Sequence, residues 1–133
     1  MKIAVKIVRL VYGLGFTVFG ANIIHPFLPM PPMDPASPTA QFMAVMVPTH
    51  WMTMVGFFQL FGGLLVLSGG TTPIGLTLLG PVLVNILAFH VCIQHGAGLA
   101  PGLVFTGMEL FLLYSYRSYF APIFTTSAVP TSQ

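Results

Sequence analysis

One run of the sequence, residues 74–93, contains twenty residues without a formal charge. As an α-helix with a rise of ~1.5 Å per residue, this run would be ~30 Å long, which is the thickness of the hydrocarbon core of a bilayer. The composition agrees, because 56% of the 133 residues are hydrophobic and only 5% are charged. A mean hydropathy of +0.93 leaves too little polar surface for a soluble domain, so we expect an integral membrane protein.

Three further apolar segments complete the expected fold, an all-α transmembrane four-helix bundle. It forms a single domain over residues 1–122, followed by a flexible tail at 123–133. The expected spans are residues 4–25, 49–69, 73–94 and 99–117. Six prolines fall between residues 25 and 38, and prolines are not tolerated in a helix interior. We therefore predict an external loop at 25–39 and a short interfacial helix at 40–47.

The basic residues predict the orientation of the chain. Lys2, Lys6 and Arg9 lie at the start of the first span, and Arg117 follows the fourth. With four spans, all four side chains fall on one side of the membrane, and lysine and arginine accumulate on the cytoplasmic side. We therefore expect both termini to be cytoplasmic. The first span is expected to be retained, because its signal-peptide cleavage site is poorly formed.

Polar side chains interrupt the predicted spans at matched depths. Gln59, Asn85 and Glu109 lie about nine or ten residues below the outer boundary of their spans, or ~13–15 Å, close to the bilayer midplane. Asn22 and His90 lie nearer the outer face. A polar side chain in hydrocarbon costs free energy unless another helix supplies a partner, so we predict that these five residues line a common pocket.

Small residues share the helical faces of the polar ones, and small residues let helices approach closely. Gln59 shares its face with glycines, and Asn85 shares its face with Pro81, Ala88 and Cys92. We therefore expect both carboxamides to point into the bundle. The glycines predicted to pack between helices are Gly15, Gly56, Gly62 and Gly63.

Glu109 has two interpretations, because an ionisable group at the midplane is costly and normally faces the interior of a bundle. In the functional interpretation, it handles protons or donates a hydrogen bond to a quinone-like carbonyl. In the structural interpretation, it only holds helices together. Glu109 and Asp34 are the only acidic residues, so paired catalytic carboxylates and a soluble type of hydrolase are excluded. Four basic side chains are likewise too few for a nucleic-acid surface.

The four histidines raise the alternative of a metal site. Haem would need axial ligands such as His50 or His25 with His90 or His95, but only His90 lies clearly within a span. Six of the eight methionines lie between residues 30 and 54, and thioethers with imidazole would suit Cu(I). We predict neither haem nor copper, because hydrogen-bonded histidines and methionine as apolar filler explain the same pattern. His50 and His90 remain the candidate ligands if a metal binds.

Four stretches resemble the DoxX family of small bacterial and archaeal membrane proteins, and together they cover nearly the whole chain. They are FGANIIHPFLPMPPM at residues 19–33, VGFFQLFGGLLVLSG at 55–69, LLGPVLVNILAFH at 78–90 and ELFLLYSYR at 109–117. The VNILxFH run and the FGxN turn are the most specific motifs. One residue departs from the family pattern, because Gln59 stands where members often carry a glutamate. The departure argues against a shared two-carboxylate proton mechanism.

The resemblance implies a four-helix bundle in the cytoplasmic (inner) membrane. The member that gives the family its name is a subunit of a thiosulfate:quinone oxidoreductase. By that analogy, this chain is a small accessory subunit of a quinone-linked redox system, without stand-alone enzyme activity. The expected ligand is a quinone, and the expected partners are the lipid bilayer, a redox partner protein and a second copy of the chain. The alternative is a non-enzymatic structural or assembly protein whose polar side chains only fix helix packing.

Overall fold

The structure is a computed structural model that describes residues 2–30 and 32–130. It is all-helical, with 75% helix and no strand in these two ranges. The six α-helices of the described chain are α1 (Lys2–Ile24), α2 (Pro38–Met46), α3 (Trp51–Leu67), α4 (Thr72–Ala88), α5 (Leu99–Ser115) and α6 (Arg117–Phe120). A π-helical segment, Phe89–Ile93, continues α4, and a 3₁₀ turn, Ala121–Phe124, follows α6.

Two helices are long and apolar enough to cross a membrane. These are α1 and Thr72–Ile93, which combines α4 with its π-helical continuation. α3 and α5 reach the required length only together with a neighbouring helix. α2 joins α3 at a bend of 86°, and α5 joins the segment Arg117–Phe124 at a bend of 76°. The described chain therefore has two candidate spans, or up to four if each bent pair is one span.

The proline-rich segment ends where α2 begins. The hydroxyl oxygen of Ser37 accepts a hydrogen bond from the backbone N–H of Ala40 at 3.1 Å, which caps the first turn of the helix. Pro38 occupies the first helical position, where the missing N–H has no partner to lose. The helix therefore begins two residues before the predicted interfacial helix at 40–47, because a proline excluded from the helix interior is favourable at its start.

The four long helices pack as neighbours in a ring. α1 packs against α3 and α5, and α4 also packs against α3 and α5. The core between them is almost entirely apolar. Its buried members are Tyr12, Phe16, Val66, Leu76, Leu79, Leu83 and Leu112.

Glycines bring α1 and α3 into backbone contact. A Cβ atom on Gly20 would meet the backbone of Leu60 and, at 2.7 Å, the carbonyl oxygen of Gly56. A Cβ atom on Gly63 would lie 2.7 Å from the carbonyl oxygen of Gly13. Any side chain at these positions would force the two helices apart, as expected for small residues at a helix contact in a membrane.

Glycines also bring the other helix pairs together. A Cβ atom on Gly62 of α3 would lie 2.6 Å from the side chain of Leu79 on α4. A Cβ atom on Gly15 of α1 would lie 2.5 Å from the ring of Phe105 on α5. The four glycines predicted to pack between helices therefore all lie at helix contacts.

Arg9 ties α1 to the C-terminal end of α3. Its Nη1 donates to the carbonyl oxygens of Val66 and Leu67 at 3.5 and 3.4 Å. The last carbonyls of a helix have no partner within the helix, and a positive charge suits this end of the helix dipole. The guanidinium group therefore caps α3 from a neighbouring helix.

Candidate functional site

A cavity of about 280 Å³ lies among α1, α3, α5 and the end of α4. Three polar side chains from three different helical segments line it: Asn22, Gln59 and His90. The rest of the lining is apolar and consists of Phe16, Phe19, Ile23, Leu83, Ile86, Pro101, Gly102 and Phe105. A concave apolar space with a few convergent polar groups is the usual form of a small-molecule site.

Gln59 lies on the face of α3 that packs inward. It follows Gly56 by three residues and precedes Gly63 by four, so helical periodicity places all three on one side. The side chain is only 4% exposed, and it takes part in no side-chain hydrogen bond among the described residues. Buried polar groups are normally hydrogen-bonded. Gln59 therefore brings an unused N–H donor and an unused carbonyl acceptor to the cavity.

Asn22 lies in the last turn of α1 and shapes the loop that follows. Its Oδ1 accepts hydrogen bonds from the backbone N–H groups of Phe27 and Leu28, at 2.9 and 2.8 Å. These two bonds use the two lone pairs of the carbonyl oxygen. The Nδ2 group remains as the part of Asn22 that can donate to a molecule in the cavity.

His90 lies in the π-helical segment that continues α4, a distortion that often occurs at functional sites. Its Nδ1 is 2.6 Å from Oε1 of Gln94 and 3.0 Å from the carbonyl oxygen of Ala97. The Nε2 of Gln94 donates in turn to the hydroxyl of Thr39 at 3.4 Å. The imidazole is therefore held from its Nδ1 side by the loop before α5 and, through Gln94, by α2.

Phenylalanine rings form one wall of the cavity. Phe105 of α5 packs edge to face against Phe16 and Phe19 of α1, with ring centroids 5.3 and 6.4 Å apart. Edge-to-face packing is a favourable arrangement of aromatic rings. The rings fill the contact between α1 and α5 without closing it, and they offer flat apolar surfaces to a planar ligand.

Glu109 and Tyr12 form a second polar group that is not part of the cavity lining. Glu109 is 4% exposed, and its carboxyl group lies against Gly80 of α4 and close to the hydroxyl of Tyr12. Neither carboxyl oxygen nor the tyrosine hydroxyl reaches hydrogen-bond geometry with any described residue. Glu109 therefore faces the interior, as predicted for an ionisable group in a span.

The contacts of Gln59 and Glu109 with the two neighbouring helices give different offsets between their depths. On α4 the two lie at similar levels, since Gly80 lies beside Glu109 and Leu79 lies on Gly62, which follows Gln59 by three residues. On α1 they lie at different levels. Leu60, which follows Gln59, packs on Gly20 of α1, whereas Glu109 lies near Tyr12. Gly20 and Tyr12 are eight residues apart, or ~12 Å along the helix. The estimate from the sequence measured each depth from a presumed boundary of its span, and offsets between the ends of tilted or bent helices change that measure.

Asn85 does not line the cavity, and the prediction that it does is wrong. Its side chain is exposed on the outer face of α4, and its Nδ2 donates to the backbone carbonyl oxygen of Pro81 at 2.9 Å. Pro81, Ala88 and Cys92, which were predicted to share its inward face, are exposed as well. The whole predicted face of α4 therefore points outward.

The physical reason is the composition of α4. Its buried stripe is formed by Thr72, Gly75, Leu76, Leu79 and Leu83. At ~100° per residue, Asn85 lies ~200° beyond Leu83 and therefore on the opposite side. The helix carries apolar residues on all of its faces, so the hydrophobic pattern alone does not show which face points inward. The carboxamide tolerates its outward position because its own helix supplies an acceptor.

The histidines lie in separate environments. His50 is exposed and precedes α3 with a left-handed backbone, φ 58°, and His95 is exposed in the loop before α5 with φ 50°. His25 is exposed at the end of α1, and His90 lines the cavity. In residues 2–30 and 32–130, no three histidine, cysteine, aspartate or glutamate side chains are placed to hold a metal ion.

A second and larger cavity, about 830 Å³, lies beneath the bent C-terminal segment. Its lining includes Arg117, whose Nη1 donates to the carbonyl oxygen of Tyr114 at 2.9 Å and whose guanidinium lies 4.5 Å from the centre of the Tyr114 ring. The charge is thus already engaged. Neither Gln59 nor Glu109 lines this larger cavity, whereas Gln59 lines the smaller one. The smaller cavity is therefore the better candidate site.

Two residues of the interior, one beside the buried carboxyl group and one in the cavity wall, were not identified from the polar pattern of the sequence. Tyr12 is a lone hydroxyl inside an apolar span, and this signal could have identified it as the neighbour of Glu109. Phe105 defines the aromatic wall, but it is one of twelve phenylalanines, and nothing in the sequence distinguishes it from the others.

Comparisons with known proteins add no relative. No family model, curated protein or solved structure matches the chain. The resemblance to the DoxX family therefore gains no support from them and stays a prediction from the motifs alone.

Proposed function

We propose that the chain crosses the membrane four times as an up-and-down four-helix bundle with both termini in the cytoplasm. Two segments have the necessary length and apolar character alone, and the two bent pairs have them together. α1 and α3 are antiparallel, since Gly20 contacts Gly56 while Gly13 contacts Gly63. The same holds for the next two pairs, with contacts Gly62–Leu79 and Gly75–Val66 between α3 and α4, and Gly80–Glu109 and Gly102–Leu87 between α4 and α5. Antiparallel order brings the basic N-terminal end of α1 and Arg117 after α5 to the same end of the bundle, which is the distribution expected of a cytoplasmic side.

The proposed activity is binding of a quinone ring in the cavity, as a small accessory subunit of a quinone-linked membrane redox system. The observation that carries this proposal is Gln59, a carboxamide with 4% exposure and no hydrogen-bond partner among the described residues, at an aromatic-walled cavity. The amide lines the cavity, so a carbonyl of a bound ring could accept a hydrogen bond from it in an otherwise largely apolar space.

Electron transfer is assigned to a redox partner protein rather than to this chain. The polar side chains at the cavity are two carboxamides and one imidazole, Asn22, Gln59 and His90. These groups bind and orient a ring through hydrogen bonds, but they do not carry electrons themselves. The same role is implied by the DoxX resemblance, which remains part of the proposal.

The test is binding of a short-tailed benzoquinone to the purified protein in detergent. We expect quinone in an organic extract of the protein, and we expect added quinone to raise the thermal unfolding temperature. Gln59→Leu should abolish the rise, whereas Asn85→Leu, which removes an outward carboxamide of the same chemistry, should preserve it. If the extract contains no quinone and added quinone does not raise the thermal unfolding temperature of the native protein, the proposal is contradicted.

The alternative is a structural or assembly protein of the membrane. It is favoured by the backbone contact of α1 with α3 and by the position of Glu109 and Tyr12 outside the cavity. In this case, Gln59→Leu should leave the cellular function intact as long as the protein folds, while Gly63→Leu should abolish it by preventing folding. A loss of cellular function in a well-folded Gln59→Leu protein would contradict the structural alternative.

A further inference from the structure

We infer that the cavity prefers the reduced, hydroxyl-bearing form of its aromatic ligand, a hydroquinone, over the corresponding quinone. This inference rests on the proposed function and concerns the oxidation state that the site selects. A quinone ring presents only acceptors, whereas a hydroquinone presents two hydroxyl groups that both donate and accept. The hydrogen-bonding groups that the protein leaves unused at the cavity therefore decide between them.

His90 contributes an acceptor. Its Nδ1 faces the carbonyl oxygen of Ala97 at 3.0 Å and Oε1 of Gln94 at 2.6 Å. A backbone carbonyl can only accept, so Nδ1 carries the proton. A neutral imidazole has a single N–H, and the bond at one nitrogen sets the tautomer, so Nε2 holds a lone pair. No hydrogen bond within the described residues involves this Nε2.

The two carboxamides contribute donors and a second acceptor. Oδ1 of Asn22 is occupied by the backbone N–H groups of Phe27 and Leu28, so only its Nδ2 is available. Gln59 offers both its N–H group and its Oε1. The residues that line the cavity thus have unused donors on two side chains, Asn22 and Gln59, and unused acceptors on two, Gln59 and His90.

A quinone would satisfy the donors and leave Nε2 of His90 and Oε1 of Gln59 without a partner on the ligand. A hydroquinone satisfies both kinds of group, because each hydroxyl donates one hydrogen bond and accepts others. Sites built to bind a hydroxyl group discriminate against analogues that lack it, since buried polar groups are left without partners. At about 280 Å³, the cavity is slightly smaller than the usual ligand pocket and suits a ring of this size rather than a long tail.

The experiment compares two rings of nearly the same size on the full chain in detergent, trimethylhydroquinone kept under argon and trimethylbenzoquinone. The dimethyl ether of the hydroquinone, which lacks the donors and is larger by two methyl groups, is a third ligand. Binding is measured by isothermal titration calorimetry. We expect the hydroquinone to bind roughly ten- to a hundredfold more tightly than the other two. His90→Phe removes one of the two acceptors and should reduce the preference while retaining binding of the quinone. His25→Phe, which changes an exposed histidine outside the cavity, should leave the preference unchanged.

The outcomes separate the two proposals. If the quinone or the dimethyl ether binds as tightly as the hydroquinone, or if the preference is undiminished in His90→Phe, the preference for the reduced ring is overturned while quinone binding stands. If none of the three rings binds to the native protein, the proposed function itself fails, and this inference with it. The comparison of the hydroquinone with the quinone needs no variant, so it remains decisive even if His90→Phe does not fold.

Discussion

α1 meets its neighbours on two sides in contrasting ways. Toward α3 it presents Gly13 and Gly20, and the two backbones touch. Toward α5 it presents Phe16 and Phe19, whose rings pack edge to face on Phe105. The first contact is closed, and the second leaves the cavity of about 280 Å³.

The difference shows how side-chain size on one helix can divide its roles. Glycine has no side-chain heavy atoms, so the backbones of α1 and α3 touch and gain dispersion energy over a continuous surface. This contact has no room for a ligand. Bulky rings meet at edges and leave gaps that only another flat molecule would fill. We therefore expect substitutions on the α3 side to change stability, and substitutions on the α5 side to change binding.

The largest effect is expected from Gly20→Leu on the closed side. Its side chain would overlap the backbone of Leu60, which cannot move without separating the helices. We expect a loss of about 3 kcal/mol or more in the free energy of unfolding, the upper end for overpacking. The measurement is unfolding in mixed micelles with increasing sodium dodecyl sulfate, followed by circular dichroism. Gly107→Leu is the control, because a Cβ atom at Gly107 meets nothing within 4 Å. If the two variants had equal free energies of unfolding, the claim that the α1–α3 contact is closed to added side chains would be contradicted.

A smaller effect of opposite sign is expected from Gln59→Leu, which changes a residue of α3 that lines the cavity. Removing a buried carboxamide that has no partner among the described residues should raise the free energy of unfolding by about 1 kcal/mol, while ring binding is lost. The same unfolding titration measures the first change and calorimetry measures the second. A clear loss of stability would instead mean that Gln59 holds the helices together, and the open side would then resemble the closed one.

Arg9→Gln should weaken the closed side only slightly. The two hydrogen bonds from Arg9 to the end of α3 are long, at 3.5 and 3.4 Å, and the group is only partly buried. We expect a loss of about 0.5–1 kcal/mol in the free energy of unfolding, the usual range for a charge near a helix terminus. Lys6→Gln is the control, because Lys6 is exposed on the same helix. Equal losses in both variants would show that general charge, rather than the cap, is responsible.

The smallest effect is expected from Asn85→Leu, because Asn85 belongs neither to the α1–α3 contact nor to the cavity. The carboxamide is exposed and bonds within its own helix, so the free energy of unfolding should change by no more than about 0.5 kcal/mol, as at most surface positions. Ring binding should be unaffected. A large loss of stability or binding would show that the outer face of α4 belongs to a contact made by another molecule.

The helices themselves could be predicted from the sequence because an uncharged run of sufficient length leaves few other structures. The inward position of Gln59 could also be predicted, since glycines three residues before and four residues after it mark the packed face of α3. The position of Asn85 could not be predicted in this way. In lipid, both sides of a helix are apolar, so the hydrophobic pattern that orients a helix in a soluble protein is missing from α4.

The partners of the buried polar groups were harder to predict than the groups themselves. Glu109 was recognised as inward-facing, but its neighbour is Tyr12 rather than Gln59. Which residues meet depends on how far the helices slide along one another, and glycine contacts such as Gly20 on Leu60 set that offset. The sequence contains the glycines, but it does not state which glycine meets which residue.

The cap that Arg9 places on α3 has a consequence for membrane insertion. In the proposed orientation, the same guanidinium group that keeps the N-terminal end on the cytoplasmic side also receives the end of α3 once that helix has crossed back. Arg9 would then contribute both to the orientation of the first helix in the membrane and to the packing of α3 against it. If α1 inserted in the opposite direction, Arg9 would lie on the other side of the bilayer. The C-terminal end of α3 would then lose the hydrogen bonds that Arg9 donates to it.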